Sequence, residues 1–323
     1  MTVLSEQDVR SVLTMDDLID VMQDALMAYS AGRARQPLRT VLEVRPGQAF
    51  FGIMPASLPE SGSLGAKLVT VFAGNARMGL PTHLASIVLL DSTTGALVAL
   101  MDGRYITESR TAAVSAVSAR LLARSEAATL ALVGSGVQAR SHLEALSRVR
   151  TLHEVRVWSP SRDRCEAFAR EMQVRSPAPI CVSASARDAV EGADIVALVT
   201  AAREPVIESD WIASGTHICA VGACRPDQRE MDTALVRRAR VFVDSRLGAL
   251  AEAGDLLLPM GEGAVGEEHI AGELGELAAG RVEGRQSPTQ VTIFKSLGMA
   301  VEDISAAHLV LERAQARGLG LRL

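Results

Sequence analysis

The stretch from Ala127 to Arg140, AATLALVGSGVQAR, constrains the fold more than any other part of the chain. The apolar β formers of LALV precede a glycine turn, and an amphipathic segment with Leu143, Leu146 and Val149 on one face follows it. A strand, a turn with the spacing G-x-G-x-x-A and a helix are together typical of a dinucleotide-binding site. A glycine turn without a ligand has the same local pattern, so the rest of the sequence must distinguish the two.

Each position of this turn has a physical role in binding a pyrophosphate. Gly134 permits the tight bend, Gly136 lets the backbone approach the ligand, and Ala139 keeps the helix close to the strand. The first N–H groups of the helix, at Val137 and Gln138, have no partner within the helix and lie at its positive end. We predict that these five residues bind the cofactor.

Short apolar segments alternate with helical segments after the turn. The sequence predicts strands at 154–159, 179–185, 194–200, 216–223 and 240–245. This alternation is typical of a parallel sheet with helices on both faces. The predicted fold class is therefore α/β, with a doubly wound, Rossmann-type sheet.

The first part of the chain has a different pattern. Residues 1–30 predict two helices, with Ser5 and Thr14 as N-caps. Five strands of a mixed sheet are predicted next, at 38–44, 48–54, 64–73, 83–91 and 96–102.

The end of the chain predicts a short strand and a long helix whose apolar stripe includes Ala300, Ile304, Ala307 and Leu311. We expect this helix to pack back on the N-terminal sheet. The predicted domains are residues 1–118 with 296–323, an α+β substrate-binding domain, and residues 119–295, a dinucleotide-binding domain.

Composition excludes several function classes. The net charge of −5 without a basic cluster argues against nucleic acid as a partner. No apolar run approaches the roughly 18 residues of a membrane span, and no signal-peptide core is present, so we expect a cytoplasmic protein with no membrane partner. The four cysteines are scattered, which predicts reduced thiols and no metal site.

Eight segments, in order, resemble the ornithine cyclodeaminase/μ-crystallin family: PLRTV, GIMPA, AKLVT, RTAA, VGSGVQA, AVGACRPDQREMD, VFVDS and QVTIFKSLGMAVED. The resemblance is strongest to the μ-crystallin branch, whose members are similar to NAD(P)H-dependent reductases of cyclic ketimines. It implies a Rossmann domain and a discontinuous α+β substrate-binding and dimerisation domain that forms a homodimer through its sheet.

The resemblance also implies the substrate site. Arg39 and Arg110 match the carboxylate-binding arginines of the family, and a guanidinium fixes a planar carboxylate through two charge-assisted hydrogen bonds. Lys67 matches the active-site lysine and is expected to contact the substrate carboxylate or to donate a proton. Leu297 is expected to contact the substrate. Arg110 and Lys67 are the predicted catalytic residues.

Further cofactor contacts follow from the same resemblance. Thr82 and Arg110 are expected to contact the nucleotide, whereas His83 is interpreted as structural. The other matched positions are Thr200, Ala220, Val221, Gly222 and Ser296.

Two positions depart from the cyclodeaminase branch. Cys224 stands where that branch has a catalytic aspartate, and Gly52 stands where it has a substrate-binding glutamate. A neutral thiol does not readily replace a carboxylate in proton transfer. Asp227 and Glu230 are nearby acids, each open to a catalytic or a structural interpretation. Reduction of a preformed imine tolerates the loss of the aspartate better than deamination does.

The end of the second Rossmann strand bears on the choice of nucleotide. NAD-specific sites place a carboxylate there for the ribose hydroxyl. Here Ser159, Ser161 and Arg162 occupy the region, and Asp163 is assigned to the following helix. An arginine with two hydroxyls suits a 2′-phosphate. NADP(H) is therefore favoured, with NAD(H) as the alternative.

The predicted reaction is NAD(P)H-dependent reduction of a cyclic imino acid of the Δ1-pyrroline-2-carboxylate or Δ1-piperideine-2-carboxylate type. The alternatives are an alanine dehydrogenase-like activity, an ornithine or lysine cyclodeaminase, and a nucleotide-dependent ligand-binding protein. Ring size, physiological direction and any assembly beyond a dimer stay open at the level of sequence.

Overall fold

The computed structural model describes residues 1–323 and divides them into two compact units. The sheet unit comprises Met1–Arg110 and Gly298–Leu323, and the Rossmann unit comprises Thr111–Leu297. None of the helices combines the length and apolarity needed to span a bilayer. The strands are β1 Thr2–Leu4, β2 Thr40–Arg45, β3 Ala49–Leu58, β4 Ser63–Phe72, β5 His83–Asp91, β6 Leu97–Asp102, β7 Thr129–Val133, β8 Glu154–Trp158, β9 Ile180–Val182, β10 Ile195–Leu198, β11 His217–Ala220, β12 Arg240–Val243, β13 Ile270–Glu273, β14 Thr292–Lys295 and β15 Leu321–Arg322. The helices are α1 Glu6–Val12, α2 Met15–Ser30, α3 Arg104–Leu122, α4 Val137–Val149, α5 Arg162–Met172, α6 Ala186–Val190, α7 Thr233–Arg238, α8 Arg246–Glu252, α9 Gly254–Gly261, α10 Leu274–Ala278 and α11 Ala300–Ala316.

The sheet unit is built on a mixed sheet in the order β15-β1-β6-β5-β4-β3-β2. Its neighbouring strands are antiparallel except for the parallel pair β1 and β6. The five strands predicted between residues 38 and 102 are present, and Ser5 and Thr14 cap α1 and α2 as expected. The sequence does not predict β1 and β15, because segments of three and two residues are too short to show a periodicity.

Helix α11 packs against α2 and the strands β3, β4 and β5, which confirms that the chain end returns to the N-terminal sheet. The approach is close at Gly65, where an added Cβ would lie 3.2 Å from the Ile304 side chain. Residues two apart on a strand share one face. Lys67, which pairs with Met54 and Ile87, therefore lies on the same face of β4 as Gly65.

The Rossmann unit contains eight parallel strands in the order β13-β12-β14-β11-β10-β7-β8-β9. Apolar clusters on both faces bury the central strands completely, as the continuous runs of Val, Ile, Leu and Ala predict. The chain leaves β7 toward β8 in one direction and resumes at β10 on the other side. The carboxyl ends of β7 and β10 therefore define the switch point at which such sheets bind ligands.

The division between the units falls inside α3 and directly after Leu297. The sequence predicts it at 118/119 and 295/296. Helix α3 continues from one unit into the other without a break, so its periodicity carries no sign of the boundary. The discrepancy at the second junction is two residues, within the usual uncertainty of element ends.

Candidate active site

Lys67 is a buried charge in the middle of β4, with 2% of its surface exposed. Its ammonium nitrogen lies 2.6 Å from Oδ2 of Asp303, which is itself fully buried. A buried ammonium is tolerated in a protein only when it is paired. The pair therefore fixes the lysine head group between the sheet and α11.

Arg110 joins the same carboxylate from α3. Its Nε lies 3.0 Å from Oδ1 of Asp303, and its Nη1 forms an ion pair with Glu302. Glu302 and Asp303 belong to the first turn of α11, where the helix dipole stabilises negative charge. Gly298 permits this packing, since it has a φ of +78° and a Cβ there would lie 2.3 Å from the Arg110 guanidinium.

Arg39, just before β2, donates from Nη2 to the carbonyl oxygen of Gly298 at 3.3 Å. Lys67 and Arg110 are therefore brought together around two carboxylates with Arg39 close by, so the three predicted cations exceed the negative charge. Burial lowers the pKa of Lys67 to about 8; the Asp303 carboxylate opposes this shift, and the charges of Arg110 and Arg39 add to it. This arrangement suits an anionic substrate that also needs a proton.

Thr82 and His83 lie where the loop after β4 enters β5. The Thr82 hydroxyl is 3.1 Å from Nδ1 of His83, so each side chain has a local partner. The structural interpretation of His83 and the cofactor role of Thr82 stay predictions.

The turn after β7 has the backbone that the glycine motif predicts. Gly134 has a φ of +122°, and an added Cβ would lie 2.7 Å from the carbonyl oxygen of Val199, so only glycine fits. Gly136 is the N-cap of α4, and a Cβ there would meet nothing within 4 Å. Ala139 is fully buried, and the Gln138 side-chain oxygen is buried without a partner. An open helix N-terminus with close backbone access fits a dinucleotide phosphate.

The residues predicted to bind the adenosine side lie beside this turn. Ser159 follows β8, and its hydroxyl is 2.9 Å from that of Ser135 in the glycine turn. Ser161 caps α5, and the largely exposed Arg162 pairs with Glu166 one helical turn later. Asp163 belongs to α5, as expected.

The remaining cofactor positions lie at the carboxyl ends of β10, β11 and β14. Thr200 follows β10, and Gly222 follows Ala220 and Val221 at the end of β11. A Cβ on Gly222 would lie 2.1 Å from the Thr200 carbonyl oxygen, so the two loops are in close contact. Ser296 and Leu297 follow β14, and the Asp244 carboxylate accepts from the backbone of Leu297 at 2.6 Å and from the Ser296 hydroxyl at 3.5 Å.

The positions that depart from the cyclodeaminase branch have distinct surroundings. The half-buried Cys224 thiol donates to the carbonyl oxygen of Val221 at 3.3 Å. Asp227 is exposed, whereas Glu230 has no exposed surface. Gly52 is buried in β3, where a Cβ would be 3.0 Å from Val69.

Glu302 and Asp303 are parts of the site that were not predicted from the sequence. A signal existed, because Asp303 is three residues after Ala300 and four before Ala307 and so lies on the apolar stripe of α11. An acid at such a position must be paired when the stripe is buried.

The chain is similar to known proteins over nearly its whole length. A family model described as the ornithine cyclodeaminase/mu-crystallin family matches residues 1–318. The ketimine reductase mu-crystallin of Mus musculus is 42% identical over 313 residues, which are 96% of this chain and 96% of that protein.

Two solved structures are similar over the full chain. The Thermococcus litoralis Delta(1)-pyrroline-2-carboxylate reductase in complex with NADH and L-proline is 40% identical, with a TM-score of 0.98 and 100% coverage of both chains. An archaeal alanine dehydrogenase dimer with bound NAD is 32% identical, with a TM-score of 0.95, and the match covers 100% of this chain and 98% of that one. This chain belongs to the ornithine cyclodeaminase/mu-crystallin family.

Proposed function

We propose that this protein is an NAD(P)H-dependent oxidoreductase that reduces the C=N bond of a cyclic imino acid to the corresponding cyclic amino acid. Δ1-pyrroline-2-carboxylate and Δ1-piperideine-2-carboxylate are the proposed substrates. The observation that carries the proposal is the buried cluster of Lys67, Arg110 and Asp303, which combines an anion site with a lysine of lowered pKa. The similarity to a ketimine reductase and a pyrroline-2-carboxylate reductase supports it.

The residues of the sheet unit have separate tasks in this reaction. Arg39 and Arg110 bind the substrate carboxylate, which fixes the plane of the imine ring. Lys67 donates its proton toward the ring nitrogen, since the protonated imine is the better electrophile. The bound nucleotide supplies the hydride, so imine, reduced nucleotide and one proton give amine and oxidised nucleotide.

The Rossmann unit is the proposed dinucleotide-binding domain and the sheet unit the proposed substrate-binding and dimerisation domain. NADP(H) is favoured because Ser159, Ser161 and Arg162 lie at the end of β8, where NAD-specific sites have a carboxylate. Arg162→Ala is expected to weaken NADPH binding more than NADH binding, and Arg170→Ala, on the last turn of α5, serves as the control.

The deciding experiment measures oxidation of NADPH, and then of NADH, by the purified protein with each cyclic imine. Rapid oxidation with an imine but not with pyruvate and ammonia supports imine reduction. Preference for pyruvate and ammonia would instead indicate an amino-acid dehydrogenase. Ammonia release from ornithine or lysine without net nucleotide oxidation would indicate a cyclodeaminase, and nucleotide binding without turnover a binding protein.

A further inference from the structure

Glu230 is a fully buried carboxylate whose acceptor positions are filled on both oxygens. Oε1 accepts from the backbone N–H of Thr200 at 2.8 Å and from the Thr200 hydroxyl at 2.7 Å. Oε2 accepts from the N–H of Gly222 at 2.7 Å and from the N–H of Ala223 at 3.2 Å. One side chain therefore ties the loop after β10 to the loop after β11.

The position of the glutamate is itself supported by a buried ion pair. The N–H of Glu230 donates to Oδ1 of Asp255 at 2.7 Å, and Lys295 donates to Oδ2 of Asp255 at 2.9 Å. Lys295 also donates to the carbonyl oxygen of Ala223 at 2.5 Å. These contacts connect both ends of the segment 223–230 to β14 and α9.

A role for Glu230 as the missing acid does not agree with these contacts. A catalytic acid must reach the atom that it protonates. Glu230 has no exposed surface, and its oxygens already accept four hydrogen bonds. Two of the three hydrogen-bond partners of its carboxylate, Thr200 and Gly222, are in contrast residues predicted to bind the cofactor.

We propose that Glu230 is a positioning residue that holds the loops after β10 and β11 in the conformation that binds the nicotinamide half of the nucleotide. This inference rests on the proposed function in assigning a dinucleotide to the Rossmann unit. The loops lie on the β10 side of the switch point, whereas the glycine turn and Ser159 lie at the ends of β7 and β8. Glu230 should therefore affect one half of the nucleotide and leave the other half unchanged.

The test compares Glu230→Gln with the wild-type protein in two titrations, one with NADPH and one with 2′,5′-ADP, which lacks the nicotinamide half. Glutamine keeps the shape but turns an amide NH₂ group toward backbone N–H donors. We expect NADPH affinity to fall by about tenfold or more. The affinity for 2′,5′-ADP should stay within about twofold of the wild-type value. If the wild type binds NADH more tightly, NADH and ADP replace the two ligands.

Asp194→Asn is the matched control. The Asp194 carboxylate accepts from the N–H groups of Ala128 and Thr129 at 2.9 and 3.0 Å, but it lies before β10, at the amino ends of the strands and so away from the switch point. Its loss is expected to lower the unfolding midpoint and to leave both nucleotide affinities unchanged.

Equal losses of affinity for NADPH and 2′,5′-ADP in Glu230→Gln, or unchanged NADPH affinity, would overturn the proposal. A wild-type protein that binds neither nucleotide would overturn it as well. The titrations need no imine substrate. If Glu230→Gln loses affinity for NADPH alone but the wild-type protein does not reduce an imine, only the proposed reaction is contradicted.

Discussion

Lys67 carries its charge in a place from which water is almost excluded, and the balance of its neighbours sets its protonation. Burial lowers its pKa to about 8, whereas the Asp303 carboxylate raises it. Below that pH the side chain is an ammonium ion, and above it a neutral amine. The proposed proton donor is therefore active below the pKa and inactive above it.

The wild-type kcat/KM for the cyclic imine should fall as the pH rises through about 8. The imine nitrogen titrates as well, so a variant is needed to separate the two. In Lys67→Arg the side chain stays charged over this pH range. The decrease of kcat/KM that comes from deprotonation of the lysine should therefore be absent from its pH profile. The measurement is kcat/KM against pH at saturating reduced nucleotide. If the wild-type and Lys67→Arg profiles have the same alkaline limb, the titrating group is the imine nitrogen of the substrate and not Lys67.

Asp303→Asn removes the charge that keeps Lys67 protonated. The lysine pKa should fall further, and the alkaline limb should move to lower pH. Loss of one partner of a buried pair should also lower the free energy of unfolding by about 3 kcal/mol.

Glu302→Gln is the control for this change, because Glu302 is the adjacent buried carboxylate and its ion pair is with Arg110. Glu302→Gln should leave the alkaline limb of the pH profile at the wild-type pH. The same shift in both variants, measured from pH profiles and urea unfolding, would mean that overall charge rather than the Asp303 contact sets the lysine pKa.

At the scale of elements, the glycine motif between β7 and α4 has two requirements, a tight backbone bend and room for a ligand. Each requirement falls on a different glycine. Gly134 is required by the backbone, since it has a φ of +122° and a Cβ would contact the carbonyl oxygen of Val199. Gly136 has an ordinary backbone and open space around it. We therefore expect the first glycine to serve folding and the second to serve the ligand.

Alanine substitutions should reveal this difference. Gly134→Ala is expected to lower the free energy of unfolding by about 1–3 kcal/mol and to weaken nucleotide binding. Gly136→Ala should leave stability nearly unchanged and still weaken nucleotide binding by about tenfold, because its methyl group occupies the approach to the phosphate. Urea unfolding and NADPH titration of both variants provide the measurement. A stable Gly134→Ala protein would contradict the assignment.

At the scale of the whole molecule, the edge strand β2 is exposed along its entire length although it carries Val41, Leu42 and Val44. Exposed apolar residues on an edge strand mark an interaction surface. We propose that β2 belongs to the interface of a homodimer.

Leu42→Arg should convert the proposed dimer to a monomer, because Leu42 is 61% exposed in the isolated chain and a buried guanidinium without a partner is costly. Val174→Arg is the control, since Val174 is 87% exposed and lies after α5, in the Rossmann unit. The measurement is the mass in sedimentation equilibrium. A dimer that survives Leu42→Arg would exclude this edge as the interface.

The sequence by itself determined what depends on neighbours along the chain. The period of the apolar residues predicted most of the strands, the glycine spacing predicted the turn at Gly134, and Ser5 and Thr14 predicted helix starts. Such features follow from backbone sterics and local hydrogen bonds. Resemblance to a family then identified Arg39, Lys67 and Arg110 as one site. The period of the apolar residues gives no information about which polar residues share a site.

Only the tertiary structure decided which distant polar groups pair with each other. Asp303 is 193 residues from Arg110 along the chain, and Glu230 is 30 residues from Thr200. The insertion of β14 between β11 and β12 places Lys295 beside Asp255 in the same way. Burial makes these pairings necessary, but the strand order and the packing of α11 select the partners. The strand order and the packing of α11 are not encoded in any local segment, because both depend on how the whole chain buries its apolar surface away from water.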